Sequence, residues 1–239
     1  MKKSITVILF LNALFFSTLL KSQDVKSAFK KVNETLAKYN KISYNITYNY
    51  YQDSKAKKPY ETLSGVYKKD GNRMYQRIDT REFMVTDKYR LILDNDTKHF
   101  VIENKPKLIK QEQFMVEMDS VLALCKTITS KKSGALDVYT LTFDTDELNY
   151  TYNQLDITID PAKNFITKIV FHLIETDDNG EITNQPRLEI VVSGYNTSPV
   201  FPENFFSETN YVKIDTEGNV SLIKKYSTYT LLNNKVSIQ

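Results

Sequence analysis

The spacing of hydrophobic residues divides the chain into helical and extended stretches. From Asp24 to Asn40, Val25, Phe29, Val32, Leu36 and Tyr39 recur every three or four positions, and Asp24 can cap the first turn, which predicts one amphipathic helix. From Ile42 the period falls to two. Ile42, Tyr44, Ile46, Tyr48 and Tyr50 share one side of an extended segment, with Ser43, Asn45, Thr47 and Asn49 on the other. Similar short segments follow around Leu63 to Lys68, Arg73 to Ile78, Glu82 to Thr86, Tyr89 to Leu93 and His99 to Ile102. The turn-forming runs Asp70-Gly71-Asn72 and Asp94-Asn95-Asp96 separate several of them. A second helix is predicted from about Glu112 to Lys126, with Phe114, Met118, Val121, Leu122 and Cys125 on one side. Strands then resume at Leu136 to Phe143, Tyr152 to Ile159, Ile166 to Ile174, Arg187 to Ser193, Tyr211 to Ile214 and Ser221 to Leu232. Asp160 to Asn164 and Asp177 to Gly180 read as hairpin turns between antiparallel neighbours.

Many strands and two helices predict an α+β fold. So wide a sheet must curl or split to keep its strands twisted. Curling gives a large curved antiparallel sheet, an open half-barrel, and the helices are the elements available to cover its concave face. No linker, low-complexity tract or fixed-period repeat interrupts residues 23–239, which predicts a single domain with a strand-like C-terminal extension over about 215–239.

The first 22 residues have a different character. Met1-Lys2-Lys3, an apolar run from Ile5 to Leu20 and then Lys21-Ser22-Gln23 predict a secretory signal cleaved near Ser22 or Gln23, the alternative being an uncleaved anchor. The expected location is the periplasm or another exported compartment. Losing Lys2, Lys3 and Lys21 leaves as many basic as acidic residues, so the formal charge of +3 belongs to the signal and no nucleic acid is expected as a partner. Cys125, the single Cys, lies far from the cleavage point and so offers no lipid attachment there. One Cys also excludes an intrachain disulfide framework or a thiolate cluster. A hydrophobic content of 41% is enough for a packed core and excludes intrinsic disorder.

Candidate chemistry is sparse. The sequence has no Gly-x-Ser-x-Gly elbow, His-Glu-x-x-His pair or phosphate-cradling Gly-rich loop, so no catalytic residue, metal or cofactor is assigned and no enzymatic activity is expected. Asp144, Asp146 and Glu147 begin like a calcium loop, but Leu148 and Asn149 occupy positions that need an oxygen ligand and a Gly. His99 and His172 sit on predicted strands with no carboxylate or Cys at a recognisable spacing, and are expected to be strand residues with a satisfied ring nitrogen. Cys125 reads as a small buried hydrophobe. The 16 tyrosines mostly alternate along strands, where Tyr packs well on a half-buried sheet. Phe114, Met115, Met118, Val121 and Leu122 on the second helix, with Met74 and Met84 on strands, make an adaptable apolar surface that suits either a lid over acyl chains or an ordinary core.

The order of elements resembles the LolA-like superfamily, which includes the periplasmic carrier of outer-membrane lipoproteins. The residues that carry the resemblance are Leu36 to Ser43 at the end of the first helix, then Ser64-Gly65-Val66-Tyr67-Lys68-Lys69 leading to Arg73-Met74-Tyr75. They continue with Val85 to Leu93, the helical lid, Leu155 to Asp160 and Phe165 to Ile169. The resemblance implies an incomplete barrel with a lidded apolar cavity for acyl chains. Where the carrier latches its lid with a basic-Pro pair and an Arg, this chain has Lys68-Lys69 followed by Asp70-Gly71, which leaves Lys69 as the candidate latch and as a point charge, not a planar fork.

The expected function is therefore that of a periplasmic, non-enzymatic carrier or binding protein for an acylated ligand, a lipid or lipoprotein. It would act as a monomer with a membrane-associated partner that delivers or accepts the cargo. The candidate cavity comprises Ile46, Tyr48, Tyr50, Val66, Met74 and Met84 from the sheet and Phe114, Met115, Met118 and Leu122 from the lid. The alternative is an envelope protein-interaction or assembly factor on the same fold, without lipid cargo.

Overall fold

The computed structural model describes residues 24–105, 118–143, 152–177, 181–233 and 235–237. The predicted signal, Phe114, Met115, the side chain of Met118, the acidic run Asp144, Asp146, Glu147 and the tip from Asp178 to Gly180 lie outside the described residues. Helix α1 (24–38) is followed by β1 (Lys41–Tyr51), β2 (Glu61–Asp70), β3 (Arg73–Ile78), β4 (Arg81–Val85), β5 (Tyr89–Asp94) and β6 (His99–Asn104). Helix α2 (Met118–Ala123) leads to β7 (Cys125–Ser133), β8 (Leu136–Phe143), β9 (Tyr152–Asp160) and β10 (Phe165–Leu173). The remainder holds β11 (Glu175–Thr176), β12 (Ile182–Asn184), β13 (Arg187–Asn196), β14 (Val212–Ile214), β15 (Val220–Leu222) and β16 (Thr230–Leu231).

A 12-stranded sheet has the hydrogen-bonded order β16-β6-β5-β4-β3-β2-β1-β13-β10-β9-β8-β7, with two small hairpins, β11-β12 and β14-β15. Strands β2 to β6 pair antiparallel in sequence order, as do β7 to β10, and the two-residue β16 joins β6 in parallel. The β2–β3 hairpin turns on Gly71, whose φ of +61° is in the left-handed region that glycine enters without steric cost. Among the described residues the terminal strands of this order, β16 and β7, do not pair with each other, and no helix is long and apolar enough to cross a membrane.

Two predicted elements differ from those observed. The second helix ends at Ala123, and the chain from Cys125 is strand β7, where a helix was expected through Lys126 and nothing beyond. The sequence of β7, CKTITSKKS, is polar on both sides, and Ile128 is the one β7 residue besides Cys125 packed on a hydrophobic cluster, so no alternation marks it. The strand expected from Ser221 to Leu232 is broken by a 3₁₀ turn at Lys224–Tyr226, which turns the ring of Tyr226 inward to stack on Tyr211 at 5.5 Å.

By internal contacts the chain forms two compact units. One comprises α1, Tyr48–Thr62, α2, β7 to β12 and the first half of β13. Here Tyr139, Leu141 and Phe143 of β8 lie opposite or beside Leu155, Ile157 and Ile159 of β9, and Val25, Phe29 and Val32 of α1 pack on them with Leu122 of α2. The three- and four-residue spacing of the α1 positions puts them on one side of the helix, as predicted. The other unit comprises Tyr39–Thr47, the chain from Leu63 to β6, and the chain from Val192 onward. Its core joins Tyr75, Met84, Tyr89, Leu91, Leu93, Phe100 and Ile102 of the strands to Phe206, Val212, Val220, Tyr226 and Val236 of the C-terminal segment.

Candidate functional site

The cross-strand register divides the side chains of β2 to β6 into two faces. On one face Val66 pairs with Arg77, Tyr75 with Met84, Met84 with Leu91, and Leu91 with Ile102; Leu93 pairs with Phe100 alongside. This face is filled. Met84 is 1% and Phe100 0% exposed, and the cover is the chain's own C-terminal segment, with Phe205 edge-on to Tyr75 at 5.2 Å. Polar bonds pin the cover in place. The hydroxyls of Tyr75 and Tyr211 both donate to Glu82 Oε2 at 3.2 Å, and Tyr229 donates to Asn95 Oδ1 at 2.9 Å. The Lys68 ammonium lies 4.3 Å from the centre of the Phe205 ring, and Asn233 donates to the Ile102 carbonyl at 2.7 Å.

The opposite face is also apolar along its centre. Tyr67 pairs with Gln76, Gln76 with Phe83, Phe83 with Ile92 and Ile92 with Val101, forming one row across the strands. Met74 pairs with Val85 in the row on one side, and Ile78 lies in the row on the other. Charged pairs stand at the margins, Arg90 with Glu103 and Arg81 with Asp94 at 3.1 Å. Tyr44 of β1 stacks on Tyr67 at 4.8 Å and meets Tyr195 at 5.0 Å, which extends the aromatic surface. Burial pushes the Tyr67 phenol up to about 12. Neither hydrophobic cluster of described residues takes in Met74, Ile78, Phe83, Ile92 or Val101, and Ile92 is 37% exposed.

The residues singled out from sequence separate accordingly. Val66 and Met84 lie on the face covered by the C-terminal segment, and Met74 lies on the other. Lys69 is the cross-strand partner of Met74 on the second face, half-buried, with burial holding its ammonium below the ordinary lysine value. Ile46 is buried, two residues along β1 from Tyr44. Tyr48 and Tyr50 belong to the other unit. Burial first, and then Tyr50, raises the Tyr48 phenol. Leu122 packs with α1 in that unit's core. The residues missed from sequence are Tyr44, Tyr67, Ile78, Phe83, Ile92 and Val101. Their signal was available in Tyr89-Arg90-Leu91-Ile92-Leu93, where apolar residues fall on both alternating sets, the pattern of a strand with two apolar faces.

The unit with α1 brings together the other polar residues of interest. His172 Nε2 lies 2.9 Å from Asp156 Oδ2 on the neighbouring strand, and Gln154 Nε2 lies 3.2 Å from the same ring nitrogen and 3.0 Å from Asp156 Oδ1. Thr140 donates to Asp156 Oδ1 at 2.7 Å. Burial pushes the Asp156 carboxyl up, but the hydrogen bonds from His172, Thr140 and Gln154 together outweigh it and hold it below the usual value. His172 is thus a strand residue with a satisfied ring nitrogen, and its carboxylate comes from the adjacent strand, where spacing in sequence could not reveal it. The Thr140 hydroxyl bonds the carboxylate and not the imidazole, so this is not the order of a nucleophile, base and orienting acid. Beside it, Arg187 donates to the carbonyls of Ser54 and Ala56 at 2.8 and 3.0 Å and lies 3.9 Å over the Tyr51 ring, which fastens the β1–β2 loop.

No protein-family model and no curated protein sequence matches the chain. Among solved structures, it is similar to an uncharacterized conserved protein from Thermus thermophilus, at 10% identity and a TM-score of 0.43 over 77% of this chain and 93% of that one. It is similar to a LolA superfamily protein from Nitrosomonas europaea, at 11% identity and a TM-score of 0.33 over 77% and 98%. It is also similar to the lipoprotein LppX from Mycobacterium tuberculosis, at 8% identity and a TM-score of 0.38 over 73% and 96%.

Proposed function

We propose that the chain is an exported, non-enzymatic carrier or binding protein for an acylated ligand, a lipid or lipoprotein, whose acyl chain lies on the second, half-buried face of β2 to β6 along Met74, Phe83, Ile92 and Val101. One observation carries this reading. These strands are apolar on both faces, and the chain's own C-terminal segment covers one of them. An antiparallel sheet with a single packed face presents polar residues on the other. A second apolar face therefore calls for a second cover, and Ile92 in its central row is 37% exposed. The charged margins, Arg90 with Glu103 and Arg81 with Asp94, would keep such a ligand on the central rows.

The energetics suit a carrier. Burying acyl chain contributes ~0.8 kcal/mol per methylene, so a dozen methylenes supply on the order of 10 kcal/mol before the cost of association. That cost is about 4–15 kcal/mol, so a dozen methylenes give at most about 6 kcal/mol net, and tighter holding needs a longer chain or a second one. A fluorescent fatty acid titrated into the purified protein should be taken up in saturable fashion, and Phe83→Ala and Met74→Ala should weaken uptake. Equal uptake by both variants and the parent chain would exclude this face.

Val85 favours a second reading. It lies on the same face as Met74 and is only 1% exposed. A face packed permanently would make the chain an envelope assembly or protein-interaction factor on the same architecture. In that case no fatty acid is taken up, and truncations on this face cost as much stability as truncations in the core.

A further inference from the structure

The unit that carries α1 holds a pocket that the proposed acyl-chain site does not use. Its volume is about 450 Å³. Asp24, Ser27, Ala28 and Lys31 of α1 form one wall, and their spacing of three and four residues places them on one side of the helix. Ser130, Lys131 and Lys132 of β7 with Asp137 of β8 form the facing wall. Tyr139 and Ile159 are its buried floor, and the β9–β10 turn closes it with Pro161 and Asn164.

The lining has the chemistry of an anion site with additional hydrogen-bonding capacity. Lys132 is paired with Asp137, which occupies both charges. Lys31 and Lys131 form no ion pair among the described residues, so two further ammonium groups stand at the pocket. The Tyr139 phenol is raised by burial first and then by Asp137 and Asp24, so it remains a protonated donor at neutral pH. The hydroxyls of Ser27 and Ser130 and the amide of Asn164 add short polar groups, and Asp24 supplies an acceptor that would take a hydroxyl from a ligand. Lysine binds phosphate as a point charge and needs no planar fork. We propose that this pocket binds a hydroxylated phosphate group, with the phosphate between Lys31 and Lys131 and a ligand hydroxyl on Asp24.

Such a group has two sources, a free polyol phosphate or the headgroup of a phospholipid. The test uses the full mature chain with glycerol phosphate by isothermal titration, and with phosphatidylglycerol and phosphatidylcholine vesicles by co-sedimentation. Lys31→Gln and Lys131→Gln should each weaken binding about tenfold, the effect of one lost charge-assisted contact. Lys224→Gln, which removes the same charge in the other unit, should leave binding unchanged. Binding of glycerol phosphate with this pattern supports the site and a soluble ligand. Binding confined to phosphatidylglycerol vesicles, with the same pattern, supports it and a lipid source. Binding of neither probe, or equal loss in Lys224→Gln, overturns the proposal. Far-UV circular dichroism confirms that the exposed Lys→Gln variants are folded.

Discussion

Phe100 on β6 and Ile92 on β5 are near neighbours in the sheet but face opposite ways, so truncating each to alanine compares a filled face with a partly exposed position on the other. Phe100 is 0% exposed, and Tyr211 lies 6.1 Å from its ring in a cluster closed by the C-terminal segment. Removing the ring leaves a cavity that these aromatic neighbours cannot easily collapse into, at a cost of ~3–5 kcal/mol. Ile92 is 37% exposed and packs in neither cluster, so its truncation forfeits only part of the ~1.5–3 kcal/mol that full burial would contribute, about 1 kcal/mol or less. With a urea slope of ~2 kcal/mol per molar, Phe100→Ala should lower the unfolding midpoint by roughly 1.5–2.5 M and Ile92→Ala by no more than about 0.5 M. Circular dichroism reads both midpoints, and tyrosine fluorescence gives an independent trace because the chain has no Trp. Fatty-acid affinity should move the other way. Phe100→Ala retains it wherever the protein stays folded, and Ile92→Ala loses several-fold, since one methylene of contact at ~0.8 kcal/mol is about fourfold. Equal destabilisation by the two changes would refute the reasoning, because Ile92 would then be packed as tightly as the core.

Asp156→Asn should flatten the acid limb of the stability profile. A carboxyl held low contributes stability that is present above its unfolded value near 4 and is lost as pH falls through the lower folded value, so the difference between parent and variant in urea melts should shrink as pH falls below about 4. At alkaline pH the sign is reversed. The Tyr67 phenol, raised to about 12, contributes stability that is complete below the unfolded value of about 10 and is lost as pH rises from there, so Tyr67→Phe should resist unfolding at pH 11 better than the parent. Gly71→Val should cost ~1–2 kcal/mol by forcing a branched residue to a φ of +61°, read as a lower thermal midpoint. Arg187→Ala should free the 52–58 loop from two carbonyl bonds and the Tyr51 ring, raising amide exchange in that loop with little change elsewhere.

Element identity was largely readable from alternation, and the bounds of β3 and β8 were located to the residue. Strand β7 was not, because as the terminal strand of the sheet order it carries Thr, Ser and Lys on both sides and offers no period. The candidate site was harder to read. Choosing Met74 and Met84 together by residue type ignored register, and one hairpin turn places them on opposite faces. Nor could local pattern show what lies over Val66 and Met84. The C-terminal extension, read as plain strand, breaks into short strands and turns so that Phe206, Tyr211 and Tyr226 reach residues more than a hundred positions earlier. Long-range cover of this kind is set by tertiary packing and leaves no periodic mark.

An acyl chain seated on the Met74–Phe83–Ile92 face of β2 to β6 would travel with the protein through purification. Native mass spectrometry of the protein purified without detergent, followed by solvent extraction and identification of the released species, tests it most directly. The expected result is an added mass that resolves into acylated lipid or lipopeptide and is depleted in Phe83→Ala. A protein that flies at its bare mass, yields no acyl species on extraction and takes up none when a fatty acid is supplied would contradict it.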